Sequence, residues 1–68
     1  MKDVYMVKYE ITDRGTAYPV KEEEIIVPKG QSVLSCLEKQ LRKYRRASDL
    51  STKFTFKIIS HYHNGYCS

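Results

Sequence analysis

Apolar and polar side chains alternate along the first dozen residues. Between residues 4 and 12 the apolar positions share one parity (Tyr5, Val7, Tyr9 and Ile11), and the polar positions share the other (Lys8, Glu10 and Thr12). Because successive side chains of a strand point to opposite faces, this pattern predicts a strand with one buried face. The turn residues of Asp13-Arg14-Gly15 then predict a chain reversal.

A second strand is predicted over residues 18–27, although its pattern is less regular. Tyr18, Val20 and Ile26 share one parity, whereas Ile25 and Val27 take the other. This conflict predicts either a β-bulge near the glutamates of residues 22–24 or a strand that begins only at Glu23. The nitrogen of Pro19 cannot donate a hydrogen bond, which favours an edge position or an irregular start for this segment. On such an edge the acidic run would face solvent and discourage pairing with other strands.

An amphipathic helix is predicted to follow. Pro28-Lys29-Gly30 ends the strand, and Ser32 is the predicted N-cap because its hydroxyl can accept a hydrogen bond from the first helical turn. At about 100° per residue, the apolar arc holds Val33, Leu37, Leu41 and Tyr44, with Leu34 and Gln40 at its margins. That arc is predicted to pack on the sheet. The opposite arc holds Glu38 and five basic residues: Lys39, Arg42, Lys43, Arg45 and Arg46.

A third strand is predicted over residues 53–62, and its aromatic side (Phe54, Phe56, Ile58 and Tyr62) should close the core. Asn64-Gly65 has the sequence of a two-residue type I′ hairpin turn. If the chain turns there, His63 pairs with Tyr66, and Tyr62 pairs with Cys67. The chain is therefore predicted to be an α+β domain of order β-β-α-β. Its antiparallel sheet would have three strands, or four if the last hairpin forms, with the helix packed on one face.

Chain length and charge narrow the functional classes. With 68 residues, the chain is predicted to form a single domain, residues 1–68, around a small core. No apolar run approaches the roughly 18 residues of a membrane-spanning helix, so a soluble cytoplasmic protein without membrane contact is expected. Residues 1–30 carry a net charge of −1 and residues 31–68 a net charge of +5. An anionic partner is therefore the first hypothesis.

The basic arc of the helix is the main candidate for contact with such a partner. Its cations could neutralise phosphates, and Lys53 could extend the surface if it lies near the end of the helix. The candidate residues are Lys39, Arg42, Lys43, Arg45, Arg46 and Lys53. The alternative interpretation is an ordinary solvated helix face, which is the more common use of a basic run.

Two of the six tyrosines are candidates for exposed aromatic contacts. These are Tyr18 and Tyr66, because their parity does not place them in the core, and tyrosine is enriched in binding surfaces. The other strand and helix tyrosines are predicted to be core residues: Tyr5, Tyr9, Tyr44 and Tyr62. Tyr44 could also stack on a base if it lies beside the basic residues.

A metal site at the C-terminus is considered and set aside. His61 and His63 would share one face of a strand, and the thiol of Cys67 follows four residues later. A turn at Asn64-Gly65 would place Cys67 on the face opposite both histidines, so no metal and no cofactor is expected. Cys36 and Cys67 are expected to remain thiols. The chain has no recognisable nucleophile, acid-base pair or phosphate loop, and no enzymatic activity is expected.

The segment EEEIIVPKGQSVLSCLEKQL resembles the second strand, turn and helix start of β-grasp, or ubiquitin-like, domains, and the resemblance extends over residues 4–46. It implies a hairpin followed by a helix on a sheet. The chain ends without a diglycine and lacks the cysteine cluster of the ferredoxin branch, so no conjugation, sulfur-carrier or iron–sulfur role is implied. In size and element order the chain also resembles tiny phage and mobile-element proteins that bind and block a host protein.

Two functions from different classes are therefore expected. The first is a small non-enzymatic binding protein whose basic helix face contacts nucleic acid, or the acidic or nucleic-acid-binding face of a protein. The alternative is a phage-type or mobile-element-type inhibitor, an anti-defence protein or antitoxin, that binds a host protein stoichiometrically through a strand edge or its tyrosines. A homo-oligomer formed through edge strands is compatible with both.

Overall fold

The computed structural model describes residues 1–67 and confirms the predicted α+β class, with one helix on an antiparallel sheet. The second predicted strand, residues 18–27, begins only at Lys21, and a short strand that was not predicted, Thr16–Ala17, precedes it, so the observed order is β-β-β-α-β. The elements are β1 (Lys2–Asp13), β2 (Thr16–Ala17), β3 (Lys21–Val27), α1 (Val33–Lys43) and β4 (Thr55–Cys67).

β1 is the central strand of the sheet. Thr12 pairs with both Ala17 of β2 and Thr55 of β4, and Tyr9 pairs with Lys21 of β3 as well as with β4. β2 and β3 therefore lie end to end along one edge of β1, and β4 lies along the other. Both backbone edges of β1 are therefore paired along most of its length.

The first reversal is a two-residue hairpin. Asp13 pairs with Thr16, and the two residues between them have positive φ, 54° for Arg14 and 78° for Gly15. Positive φ at both central positions is the geometry of a type I′ turn, whose twist matches that of the flanking strands.

The irregularity of the second predicted strand lies before the glutamates. Tyr18 N donates to Ile11 O at 2.8 Å, but Tyr9 pairs with Lys21, so one extra residue is accommodated at Pro19 and Val20. Neither predicted position, a bulge at residues 22–24 or a start at Glu23, is correct. The irregular start predicted from Pro19 is confirmed, because the break occurs at this proline, which has no N–H to donate to the ladder.

Helix α1 begins as predicted but ends earlier than the basic arc requires. The Ser32 hydroxyl accepts a hydrogen bond from Ser35 N at 3.1 Å, and Leu37 and Leu41 are buried against the sheet. The last helical residue is Lys43. Arg45 and Arg46 therefore lie in the turns that follow the helix, and the prediction that they belong to a helix face is wrong.

The predicted hairpin at Asn64-Gly65 is wrong, because β4 continues straight through this dipeptide. Asp3 pairs with Tyr66 and Tyr5 pairs with His63, so β4 carries one extra residue here, a bulge in which Gly65 has a φ of 118°. Continued pairing with β1 satisfies more backbone groups.

A second bulge in β4 changes which side chains face the helix. Lys8 pairs with Ser60 and Tyr9 pairs with Ile58, which leaves Ile59 as the extra residue. Ile58 consequently shares the face of Tyr9, but Tyr62, which is opposite Met6, lies on the other face. Tyr62 is 56% exposed, so its predicted place in the core is wrong.

The core lies between α1 and one face of the sheet, which we call the helix face; the opposite side is the open face. Leu50 and Phe54, from the segment between α1 and β4, close the core at the Ile11 end of the sheet. The buried cluster comprises Val7, Tyr9, Ile11, Ile25, Val27, Leu37, Leu41, Leu50 and Phe54. Val4 is also buried but belongs to the open face.

Candidate functional site

The predicted basic residues lie on the second half of α1 and on the turns after it. Contacts tie this region to the hairpin of β1 and β2: Ser51 N donates to Asp13 Oδ2 at 2.9 Å, and the Ser51 hydroxyl donates to Asp13 Oδ1. Arg14, which follows Asp13, therefore joins the group although the sequence did not suggest it. The seven residues form what we call the basic end: Arg14, Lys39, Arg42, Lys43, Arg45, Arg46 and Lys53.

Arg45 is a structural member of the basic end. Its Nη1 donates to Leu50 O at 3.0 Å, and Leu50 N donates back to Arg45 O at 3.0 Å. Asp49 adopts a left-handed conformation in this turn, with a φ of 57°. Arg45 thus fixes the path of the turns, and only part of its side chain is available to a partner.

Two other cations are partly engaged by side chains. Arg42 Nε lies 3.7 Å from Glu38 Oε1, with both side chains about half exposed, and its Cζ lies 5.2 Å from the centre of the Phe54 ring. Lys43 Nζ lies 5.5 Å from the centre of the Tyr44 ring. An exposed ion pair of this kind contributes little to stability and exchanges readily for another anion.

Tyr44 is 53% exposed, so its predicted place in the core is wrong. It is the C-cap residue of α1, one position beyond the last helical turn, and its ring is accessible beside Lys43. An exposed aromatic ring next to cations is the combination on which nucleic-acid bases stack.

Few carboxylates oppose the charge of the basic end. Among residues 1–67, the seven cations of the basic end make a single ion pair with a carboxylate, that of Arg42 with Glu38. Residues 39–53 contain six basic side chains and one acidic one, Asp49. Lys39, Lys43, Arg46 and Lys53 are all exposed, so their charges act on solvent and on any ligand that approaches.

Asp13 is the carboxylate that holds the basic end together. Its side chain is buried, and the hydrogen bonds from the Ser51 hydroxyl and amide, with the positive charge of Arg14, hold its pKa below the ordinary value of 3.8. Asp13 is therefore ionised at neutral pH, and its two oxygens serve the protein interior rather than an external cation.

A second polar group lies between the helix and the sheet. The hydroxyl of Tyr9 donates to Glu23 Oε1 and Gln40 Nε2 donates to Glu23 Oε2, both at 2.8 Å. Burial, followed by the contact with the Glu23 carboxylate, raises the pKa of the Tyr9 phenol well above its ordinary value of 10.0. These residues form one wall of a cavity of about 140 Å³. Glu23 was expected to face solvent, but it shares the parity of Ile25 and Val27, a signal that could have placed it inside.

The far end of the sheet carries an aromatic and histidine cluster. Tyr5 packs edge-on against His61 and His63, with ring centres 5.7 and 5.3 Å apart, and His63 packs against Tyr66 at 4.8 Å. His63 Nε2 lies 2.9 Å from Asp3 Oδ1. Tyr66 is 67% exposed, which confirms its predicted exposure and leaves its contact role a prediction.

Tyr18 and the C-terminal metal candidates have other surroundings. Tyr18 is half-buried against the core, so its predicted exposure is wrong, while its contact role stays a prediction. Cys67 pairs with Lys2 and lies on the open face, whereas His61 and His63 lie on the helix face. Nowhere in the described chain do three or more histidine, cysteine or acidic side chains form a group that could hold a metal ion. Cys36 forms no disulfide among the described residues.

No protein-family model matches this chain, and neither a curated protein nor a solved structure shows significant similarity to it. Among residues 1–67, no helix is long and apolar enough to cross a membrane. The chemistry of the surface is therefore the basis on which function can be argued. Its most distinctive feature is a concentration of exposed cations around an exposed tyrosine, held in place by Arg45 and by the contact between Asp13 and Ser51.

Proposed function

We propose that the protein binds nucleic acid through the basic end. The supporting observation is that six cations of residues 39–53 surround the end of α1, with one ion pair to a carboxylate among them. Cations without such partners are favourable contacts for phosphates, because binding releases the counterions condensed on the nucleic acid.

The side chains of the basic end would take different roles. The exposed cations Lys39, Lys43 and Arg46 would contact phosphates and supply most of the affinity. Tyr44 would stack on an exposed base where the nucleic acid is single-stranded. No side chain in this group has the buried, oriented geometry of a base-reading contact, so binding without strong sequence preference is expected.

The test is a triple substitution of Lys39, Lys43 and Arg46 by Gln, with binding measured by fluorescence anisotropy on a labelled duplex and a labelled single strand. We expect affinity at low salt to fall by about a hundredfold. The slope of log affinity against log salt concentration should become shallower by about 2 to 3, because about three phosphate contacts are lost.

The matched control removes the same net charge elsewhere, by substitution of Lys2, Lys8 and Lys29 by Gln. These lysines are equally exposed but lie outside the basic end. If the control loses as much affinity as the test variant, binding depends on total charge alone and the proposed site is wrong. Capture of a partner from lysate that survives nuclease treatment would instead indicate an acidic protein surface as the ligand.

One observation favours a second candidate, a stoichiometric protein inhibitor of the phage or mobile-element type. The outer edge of β4 is long and carries little charge, and an extended segment of a target protein could add to it as a further strand. This function predicts a complex that resists both nuclease and high salt. Such a complex would be unaffected by the triple substitution in the basic end.

A further inference from the structure

The two edges of the sheet differ in their protection against pairing. β3 carries four charged side chains in seven residues (Lys21, Glu22, Glu23 and Glu24), and Pro19 interrupts the same edge just before it. β4 has one formally charged side chain, Lys57, in thirteen residues. Charges, proline and β-bulges are devices by which sheet edges avoid unwanted partners. β4 has two bulges but a single formal charge and no proline.

The outer edge of β4 is also available over most of its length. From Thr55 to Tyr66 no strand of the described chain pairs with it on that side. The helix packs against β3 on the other side of the sheet's central strand, so Phe56 and Ile58 of β4 are only partly covered. Ile59, Tyr62 and Tyr66 are exposed. A further strand added at this edge would bury part of this apolar surface, and that burial would stabilise the assembly.

We propose that two copies of the chain associate through β4, antiparallel about a two-fold axis, with Tyr62 opposite Tyr62 of the second copy. The proposal is independent of nucleic-acid binding, because none of the residues of the basic end belongs to β4. A second copy is the fitting occupant since an edge strand without like charges can pair with itself, and a chain of this length has a small core of its own.

The register follows from the two bulges of β4. Ile59 and Gly65 are each three residues from Tyr62, so pairing centred on Tyr62 places each bulge opposite the other bulge of the second copy. The regular run of residues 60–64 then pairs with itself, with Ser60 opposite Asn64 and His61 opposite His63. A register centred elsewhere would set an irregular residue against a regular pair and interrupt the ladder.

The resulting sheet has six long strands in the order β3-β1-β4-β4-β1-β3. An axis perpendicular to the sheet keeps both helices on the same side of it. They would not collide, because each helix packs against β3, the strand farthest from the axis. The half-covered side chains of both β4 strands would line the groove between the helices.

The test uses opposite charges at the residue on the axis. Wild-type protein should sediment as a dimer in analytical ultracentrifugation, whereas Tyr62→Lys and Tyr62→Glu should each sediment as monomers. The dimer dissociation constant of each variant should rise by about a hundredfold, because two like charges face each other. An equimolar mixture of the two variants should form dimers again. The lysine at position 62 of one copy and the glutamate at position 62 of the other attract each other only if the two positions lie opposite each other in the dimer.

The matched control is Ile26→Lys, which places the same charge on the open face of β3 at a residue of similar exposure, 48%. We expect this variant to remain dimeric. Circular dichroism of each variant verifies that the monomers are folded. A monomeric wild type, dissociation of Ile26→Lys, or failure of the mixed variants to dimerise would each overturn the proposal. A wild-type monomer that binds another protein through β4 would identify a different occupant and would also overturn it.

Discussion

At the scale of single residues, Asp13 couples stability to pH. Its folded-state pKa lies below the ordinary value of 3.8, so the folded protein binds this proton less tightly than the unfolded chain does. The stabilisation is complete above the ordinary pKa and is lost as the pH falls through the folded-state pKa. We expect Asp13→Asn to melt at a lower temperature at pH 7 and to show a shallower decline of Tm below about pH 4.

Thermal unfolding followed by circular dichroism between pH 7 and pH 2 measures this effect. Asp49→Asn is the control, because Asp49 is exposed and asparagine tolerates its left-handed conformation. This variant should keep the wild-type pH profile. Parallel acid profiles for Asp13→Asn and the wild type would contradict the role assigned to the carboxylate.

The sequence predicts buried residues well where local parity decides and poorly where distant partners decide. Val7, Tyr9 and Ile11 are buried as the alternation of β1 requires. The inward direction of Glu23 depends on Tyr9 and Gln40, which come from two other elements. The sequence of the strand alone places such a carboxylate in solvent, because the hydrogen-bond donors that make its burial tolerable lie in other elements.

At the scale of elements, the first of the two predicted turns forms and the second does not. Asn64-Gly65 has the favoured composition of a type I′ turn but forms a bulge, while Arg14-Gly15 forms the type I′ turn. Turn composition is a local preference worth about 1 kcal/mol. The pairing of Tyr66 and Cys67 with β1 outweighs it, since the ladder satisfies several backbone groups at once. The helix and the long strands could therefore be predicted, but the C-terminal ends of α1 and β4 could not.

Arg14→Asn should stabilise the protein, because asparagine adopts positive φ at a lower cost than arginine. We expect an increase of about 0.5 to 1 kcal/mol in the free energy of unfolding, measured by urea denaturation. Part of the gain is offset by loss of the positive charge beside Asp13. Arg14→Ala loses the same charge without gaining the turn preference. Equal stability of the two variants would show that the turn conformation does not limit stability.

At the scale of the whole molecule, the basic end and the centre of β4 are far apart. The molecule is 37 Å long, and the basic end adjoins the start of β4, seven residues from Tyr62. In the proposed dimer the two basic ends would therefore be roughly 45 Å apart along the strands. Because the axis is perpendicular to the sheet, both ends would lie on the helix side, where one extended polyanion could contact them together.

This arrangement predicts a dependence of affinity on duplex length that is specific to the dimer. A duplex of about 10 base pairs is roughly 34 Å long and reaches one basic end, whereas one of about 24 base pairs spans both. We expect wild-type protein to bind the longer duplex about a hundredfold more tightly, because the second contact is intramolecular. Tyr62→Lys is expected to be a monomer, so its affinity for the longer duplex should rise only because that duplex offers more positions at which one basic end can bind. Ile26→Lys, with the same added charge, should keep the wild-type ratio. The affinity for the longer duplex is divided by the affinity for the shorter one within each variant, so the effect of the added charge cancels. If all three proteins gave the same ratio, the two basic ends would not bind one duplex together.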